Sequence, residues 1–393
     1  MQNFTFKSPT EIIFGRDAEL QVAEKIRQYG GHRVFIVYGG GSVVKSGLLA
    51  RVERCLTSSG LAFEVLGGVQ PNPRLSFARE GVREALSCKA DFILAIGGGS
   101  VIDTVKAIAH GVANPGTDIW DFWTGKTPLT KTMPFGSVLT IAAAGSETSD
   151  SAVLTNEELG KKAGLNSELN RPAIAFMNPE LTFTLPKKQI ACGICDIMMH
   201  TMERYFTPIK GNSFTDLVAE ALIRNVIDNA RIAIVNRKDY DAMSEIMWCG
   251  SISHNGVTEL GRKKDFSVHK LGHELGGRFD VTHGASLTAL WGSWARYVYE
   301  DDPERFARYA ERIWGIDSGT AEERARAGIR KTEDFFREMD MPTNFTELGI
   351  GVQTEAVLEY LADMCTANGS NKIGCFHPID KNAAIEIYRM ANK

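Results

Sequence analysis

Residues Asp91 to Ser100 read DFILAIGGGS, an apolar run closed by three glycines and a serine, and Val101-Ile102-Asp103 follow directly. A short apolar run bounded by a glycine turn predicts a buried strand, and the residues after the turn open a helix. Arg33 to Ser42, RVFIVYGGGS, repeats the order. Strand, glycine turn and helix make a βαβ unit, and two of them predict a parallel α/β sheet. The runs Gly136 to Ile141 and Pro172 to Met177 fit as further strands.

Beyond Leu185-Pro186 the pattern changes. Phe214 to Val235 and Tyr240 to Ser253 place apolar residues three and four apart with few glycines, which predicts helices. The expected architecture is an α/β N-terminal domain with a Rossmann-like parallel sheet over residues 1–185 and an all-α C-terminal domain over 186–393. A chain of 393 residues exceeds the usual limit of one hydrophobic core, so two domains agree with its length.

With 44% apolar and 23% charged residues the composition is that of a globular protein, and a net charge of −4 gives no reason to expect nucleic acid or an anionic membrane as partner. MQNFTFKSPTEIIFG lacks the basic flank and apolar core of a signal peptide, and no eighteen apolar residues run together, so a cytoplasmic location without a membrane partner is expected. Seven thinly spread cysteines argue against a disulfide framework. Cys192 and Cys195 are read as buried thiols on one helical face rather than a redox or zinc pair. Trp120, Phe122, Trp123 and Trp248 are read as core residues before pocket residues.

A GGGS turn has a direct physical use. Glycines let a pyrophosphate approach the backbone, and the helix start offers free amide donors. A turn that merely reverses the chain has the same composition, so both readings stand. NAD-specific sites usually hold a carboxylate near the adenosine ribose; Tyr38-Gly-Gly-Gly-Ser42 holds none, which favours NADP(H) if a dinucleotide binds there.

Asp196 and His200 stand four apart in a predicted helix, Gln189 to Phe206. His269 and His273 repeat that spacing, and His283 follows what reads as a Gly276-Gly277 break. Residues four apart share a helix face and can converge on one point. The mixed nitrogen and oxygen set suits Fe²⁺ or Zn²⁺ better than Ca²⁺. A catalytic ion keeps one position open, so five candidates exceed what it needs. HKLGHE also lacks the H-E-x-x-H order of zinc proteases.

Taken with PTEIIFG, YGGGSV, PNP at Pro71 to Pro73, GGGSVID at Gly97 to Asp103, LTIAAAGSE at Leu139 to Glu147, NPELTFTLP at Asn178 to Pro186, DIMMH, HKLGHE and THG, the chain resembles the iron-dependent (group III) alcohol dehydrogenases over nearly its whole length, in particular their NADPH-dependent aldehyde reductase and butanol dehydrogenase branch. The resemblance implies a dehydroquinate synthase-like architecture and reversible hydride transfer between NADP(H) and a primary alcohol or aldehyde. It implies Asp196, His200, His269 and His283 as ligands of Fe²⁺ or Zn²⁺, with His273 beside the nicotinamide and substrate. For the cofactor it implies Gly98, Gly99, Ser100 and Asp103 at the pyrophosphate and ribose, Thr140, Ser146 and Lys162 along the cleft, Asn72 near the adenosine, and Gly39, Gly40 and Ser42 as the NADPH-type turn. It places the site in a cleft between the halves and implies a homodimer, with Asn3-Phe4-Thr5-Phe6 pairing across it. Ala144 departs from a common threonine, and Asn178 from a common aspartate. The alternatives are an NAD-dependent polyol or lactaldehyde-type dehydrogenase, a lyase of the dehydroquinate synthase type, and a metal-binding regulatory protein.

Overall fold

The computed structural model describes residues 1–393. By contacts the chain divides into two units. One is residues 7–185 with 237–255, and the other is residues 1–6, 186–236 and 256–393. The first break falls between Leu185 and Pro186, and Pro186 caps the helix Lys187–Tyr205. One segment differs from expectation: the helix Tyr240–His254 groups with the α/β unit.

The α/β unit is built on β1 (Glu11–Phe14), β2 (Arg33–Tyr38), β3 (Ala62–Gly67), β4 (Phe92–Gly97), β5 (Phe135–Leu139) and β8 (Ile174–Met177), all parallel in the order β1-β8-β5-β4-β2-β3. The four strands expected from sequence are β2, β4, β5 and β8. Strand β4 is buried at every position, as a central parallel strand must be. Alternate residues Val34, Ile36, Phe92, Leu94 and Ile96 pack into one core with Val52 and Leu56 of the helix Leu48–Ser58. A second core holds Trp120, Phe122 and Trp123 with Leu154 and Ala107. Trp248 instead is exposed and meets Phe14 edge to face. Strands β1 and β3 lie at the edges and read weakly in sequence, because half-exposed strands need fewer apolar residues. So do β6 (Ser151–Asn156) and β7 (Lys161–Asn166), which form a separate antiparallel hairpin.

Strand order reverses between β2 and β4. From β2 the chain steps outward to β3, then returns to β4 on the other side of β2 and continues to β5. Tyr38 pairs with Ile96, so the Gly39–Ser42 and Gly97–Ser100 turns leave neighbouring carboxyl ends. In open α/β sheets the crevice at such a switch point is where ligands bind.

His110, in the helix Gly99–Ala113, is fully buried in this unit. Asn170 Nδ2 donates to the carbonyls of Asp150 and Leu165, so its Oδ1 accepts from His110 Nε2 at 2.7 Å, and Thr132 Oγ1 lies 2.8 Å from Nδ1. Burial pulls the imidazole pKa down to about 4. Between pH 6.5 and 4 the unfolded chain therefore holds a proton that the folded one rejects, and stability falls as pH falls. The loss attributable to this group is about 2 kcal/mol at pH 5 and about 3 kcal/mol at pH 4. Urea unfolding at pH 7 and pH 5 should show His110→Gln with a smaller pH-dependent loss than the parent. Equal losses would refute the assignment.

The other unit is helical. In Lys187–Tyr205 every residue from Ile190 to Tyr205 is buried, including Cys192 and Cys195, whose thiols are free and pushed upward in pKa by burial. A helix buried on all sides is the centre of its domain. The expected Gly276-Gly277 break is corrected: the helix Ser267–Phe279 runs through both glycines and stops at Asp280, which adopts φ 52°. Buried Leu271 and Leu275 hold that helix against its neighbours, and the packing outweighs the roughly 1 kcal/mol cost of each helical glycine. Residues 1–6 join this unit through Met1 N to Lys210 O and Gln2 N to Gly261 O, and Phe4 and Phe6 are exposed. No helix is long and apolar enough to cross a membrane.

Candidate metal and cofactor site

Three helices of the helical unit bring the histidines together. Lys187–Tyr205 carries Asp196 and His200 one turn apart, Ser267–Phe279 carries His269, and His283 is the first residue of His283–Val298. Ligand atoms of Asp196, His200 and His269 all lie within 4.8 Å of one another, and all three residues are buried. Asp196 Oδ1 is 3.9 Å from His269 Nε2 and 3.7 Å from His283 Nε2. His200 Nδ1 donates to the Asp196 carbonyl at 3.0 Å and lies 3.4 Å from Asp196 Oδ1. His200 and His269 rings stand 4.5 Å apart, and His269 and His283 rings 5.2 Å.

Donors about 2.1 Å from a tetrahedral ion stand roughly 3.4 Å from each other, so the observed separations need only a small contraction around a cation. One carboxylate oxygen and imidazole nitrogens gathered in a buried site fit a borderline divalent ion such as Fe²⁺ or Zn²⁺. The His283 side chain keeps 31% of its exposure, against 6% for Asp196, so the cluster opens on the His283 side. His273 lies outside the group of three. It is half-buried, with its ring 5.4 Å from that of His283 and 6.3 Å from that of His269.

Sequence reading missed Glu203, on the same helix. It accepts from the His269 amide at 3.1 Å and hydrogen-bonds His269 Nδ1. Burial pushes its carboxyl pKa upward, while the His269 and Val268 amides and the Arg204 and Lys270 cations pull it down. The signal was present, since Asp196, His200 and Glu203 continue one face at i, i+4 and i+7.

In the α/β unit Gly98 caps the helix Gly99–Ala113, and a Cβ there would stand 2.2 Å from Ile141 Cγ2, so the backbone runs close beneath that side chain. Ser100 is in the first turn of the helix. Asp103 Oδ1 accepts from Ser146 Oγ at 2.5 Å, and Oδ2 from the Val153 amide at 2.9 Å. Beneath them Lys106, wholly buried, donates to Ser146 Oγ at 2.8 Å and to the Ser151 carbonyl at 2.7 Å. Burial lowers the Lys106 pKa against the raising pull of Asp103. Asp103 and Ser146 thus brace the turn from within. Thr140 N donates to the Gly97 carbonyl at 3.1 Å. Lys162 Nζ donates to Asn72 Oδ1 at 3.0 Å, which joins two residues ninety positions apart. Gly40 and Ser42 are exposed and Gly39 half-buried in the turn after β2.

The two departures have local accounts. Ala144 offers its carbonyl to His254 Nδ1 at 2.7 Å. Asn178 Oδ1 accepts from the Glu180 amide, while Nδ2 donates to buried Glu19 at 3.0 Å; an aspartate there would set carboxylate against carboxylate.

A parallel sheet with two glycine turns at its switch point, joined in one chain to a helical unit with a buried N/O donor cluster, defines the class. The chain belongs to the iron-containing alcohol dehydrogenase family: residues 9–179 match its model, and residues 190–392 match that of the Fe-containing alcohol dehydrogenase C-terminal region. It is therefore an oxidoreductase, and the family together with the Asp196, His200 and His269 group implies a metal and a nicotinamide cofactor. Within the family it sides with the branch of the butanol dehydrogenases and the aldehyde reductase YqhD. It is 38% identical over 391 residues to NADH-dependent butanol dehydrogenase A of Clostridium acetobutylicum, with 99% of each chain covered. It is 33% identical to NADPH-dependent aldehyde reductase YqhD of Escherichia coli, with 100% of each covered. The crystal structure of NADH-dependent butanol dehydrogenase A from Thermotoga maritima superposes with a TM-score of 0.95 at 33% identity, covering 100% of this chain and 99% of that one. It shares the parallel six-stranded α/β domain followed by helices.

Proposed function

We propose that the protein interconverts small primary alcohols and aldehydes with NADP(H), using Fe²⁺ or Zn²⁺ held by Asp196, His200, His269 and His283. The observation that carries this reading is the buried convergence of Asp196, His200 and His269, with His283 Nε2 3.7 Å from Asp196 Oδ1. When bound, the ion supplies Lewis-acid polarisation of an alcohol or carbonyl oxygen, and the nicotinamide accepts or delivers hydride.

The protein's own residues bind, orient and move protons. Asp196 brings one negative charge to the donor set, which leaves a divalent site with a net positive charge where negative charge builds on oxygen. His273, half-buried and next to His283, is placed to pass a proton between that oxygen and solvent, a task an imidazole performs near neutral pH. Gly98, Gly99 and Ser100 let the pyrophosphate reach the start of a fifteen-residue helix, while Asp103, Ser146 and Lys106 keep the turn in shape. Asn72, Thr140 and Lys162 complete the cofactor contacts in this reading. The exposed Phe4 and Phe6 are its candidates for a contact between two copies.

The NADP(H) preference rests on the turn Tyr38 to Ser42, which lacks a carboxylate, and on its neighbours Gly67, Gly68 and Val69, which add none. Relatives carry both names, NADH-dependent and NADPH-dependent. Aldehyde-dependent oxidation of NADPH and NADH, measured with C3 to C6 aldehydes on metal-stripped protein reloaded with Fe²⁺ or Zn²⁺, tests both halves. The expected result is turnover with a higher kcat/KM for NADPH. A higher value for NADH removes the cofactor assignment, and no turnover under any condition removes the reaction.

A further inference from the structure

Glu203 has no part in the reaction proposed above, yet both its oxygens serve one residue of the metal cluster. It lies three residues beyond His200 on Lys187–Tyr205 and is wholly buried. Burying a carboxylate is expensive unless strong donors meet it. Here one donor is the backbone amide of His269, 3.1 Å from Oε1, and the other is His269 Nδ1, hydrogen-bonded to Oε2.

Each bond has a separate physical consequence. His269 is the third residue of the helix Ser267–Phe279, where an amide has no partner within its own helix. Glu203 Oε1 meets that amide at the positive end of the helix. Phe266, just before the helix, stands at φ 58° and supplies no side-chain cap; Asp265 Oδ2 accepts from the Ser267 amide at 3.1 Å, and Glu203, from another helix, takes the His269 amide. Its backbone takes part as well, since the Glu203 carbonyl accepts from Asp265 N at 2.8 Å.

The second bond acts on the ring. A neutral imidazole carries one proton, and a carboxylate at Nδ1 holds the proton there. Nε2 then keeps its lone pair and faces Asp196 Oδ1 across 3.9 Å. The opposite tautomer would place a hydrogen on Nε2, where a metal ligand needs the lone pair. We propose that Glu203 is the positioning residue of the metal site, fixing both the start of the His269 helix and the tautomer in which His269 can ligate. The inference rests on the metal reading above.

Glu203→Gln is the decisive variant, because it keeps the shape of the side chain but has one acceptor oxygen for two donors. Zn²⁺ affinity is measured by chelator competition on the full chain, with Asp196→Ala in parallel, and the His269 tautomer is read from ¹⁵N chemical shifts of the metal-free protein. The expected result for Glu203→Gln is Zn²⁺ binding about 10- to 100-fold weaker, with His269 moving from the Nδ1–H to the Nε2–H form. A purely structural role would lower the melting temperature and leave the tautomer unchanged. Affinity within twofold of the parent, while Asp196→Ala loses Zn²⁺, overturns the proposal; Asp196→Ala that keeps Zn²⁺ overturns the metal reading instead. Should Glu203→Gln fail to fold, Glu203→Asp retains the charge but withdraws it by one methylene. The same two readouts apply to it, with a loss in the same direction expected and unchanged affinity overturning the proposal.

Discussion

Replacing His269 with alanine should leave the protein without its metal, whereas His273→Ala should keep the metal and lose rate. The two residues sit four apart on one helix, so sequence spacing gives them equal claim. Their surroundings do not. His269 is buried, its Nε2 is 3.9 Å from Asp196 Oδ1, and Glu203 holds its other nitrogen. His273 is half-buried one turn further on, with its ring 6.3 Å from that of His269. Removing His269 takes one nitrogen from the buried donor set and leaves the Asp196 and Glu203 carboxylates without a cation or an imidazole between them. Metal content measured after dialysis should fall to background and activity with it. Removing His273 should leave metal content at the parent value and lower kcat by about 10²- to 10⁴-fold, the usual worth of a proton-transfer group. Equal metal content in the two variants would falsify this division of roles.

Gly284→Ala should be the most damaging single methyl group in the helical unit. A Cβ at Gly284 would stand 2.5 Å from the Cys192 carbonyl oxygen and 3.1 Å from Cys192 Cα. Those are backbone atoms of the buried helix Lys187–Tyr205, which has no rotamer to change and packed residues on every side. The clash must therefore separate the helix that starts with His283 from the one that holds Asp196 and His200. A cost of about 3 kcal/mol is expected from overpacking, together with metal binding weakened roughly tenfold or more as the ligands move apart. Gly277→Ala is the matched control. It lies inside a helix with nothing within 4 Å of the added carbon, and should stabilise by up to about 1 kcal/mol. Chemical unfolding and chelator competition on both variants check the pair. A Gly284→Ala protein as stable and as metal-retentive as Gly277→Ala would show that the helices yield freely.

Both expectations concern contacts between segments far apart in the chain, and that is where sequence reading ran short. Strands β2, β4, β5 and β8 were legible because each is an apolar run beside a glycine or proline signal. The edge strands and the β6–β7 hairpin were not, because an exposed face replaces apolar residues with polar ones. The Gly276-Gly277 pair was misread as a helix end, since local propensity is about 1 kcal/mol per glycine and the packing of Leu271 and Leu275 exceeds it.

For the site, the residues themselves fixed the chemistry: one carboxylate and several imidazoles at helical spacing can hold a borderline divalent ion, and two GGGS turns after buried strands can receive a phosphate. Residue pattern carries this much because 3.6-residue periodicity and glycine turns are local. Only the tertiary structure decided that Asp196, His200 and His269 converge while His273 stands aside, since that depends on the angle at which two helices meet. It also decided that Asp103 and Ser146 brace their turn over buried Lys106, and that Glu203 holds His269 from behind. A carboxylate is written the same way in a sequence whether it faces water, a metal or the far nitrogen of a ligand; the fold alone assigns its neighbours.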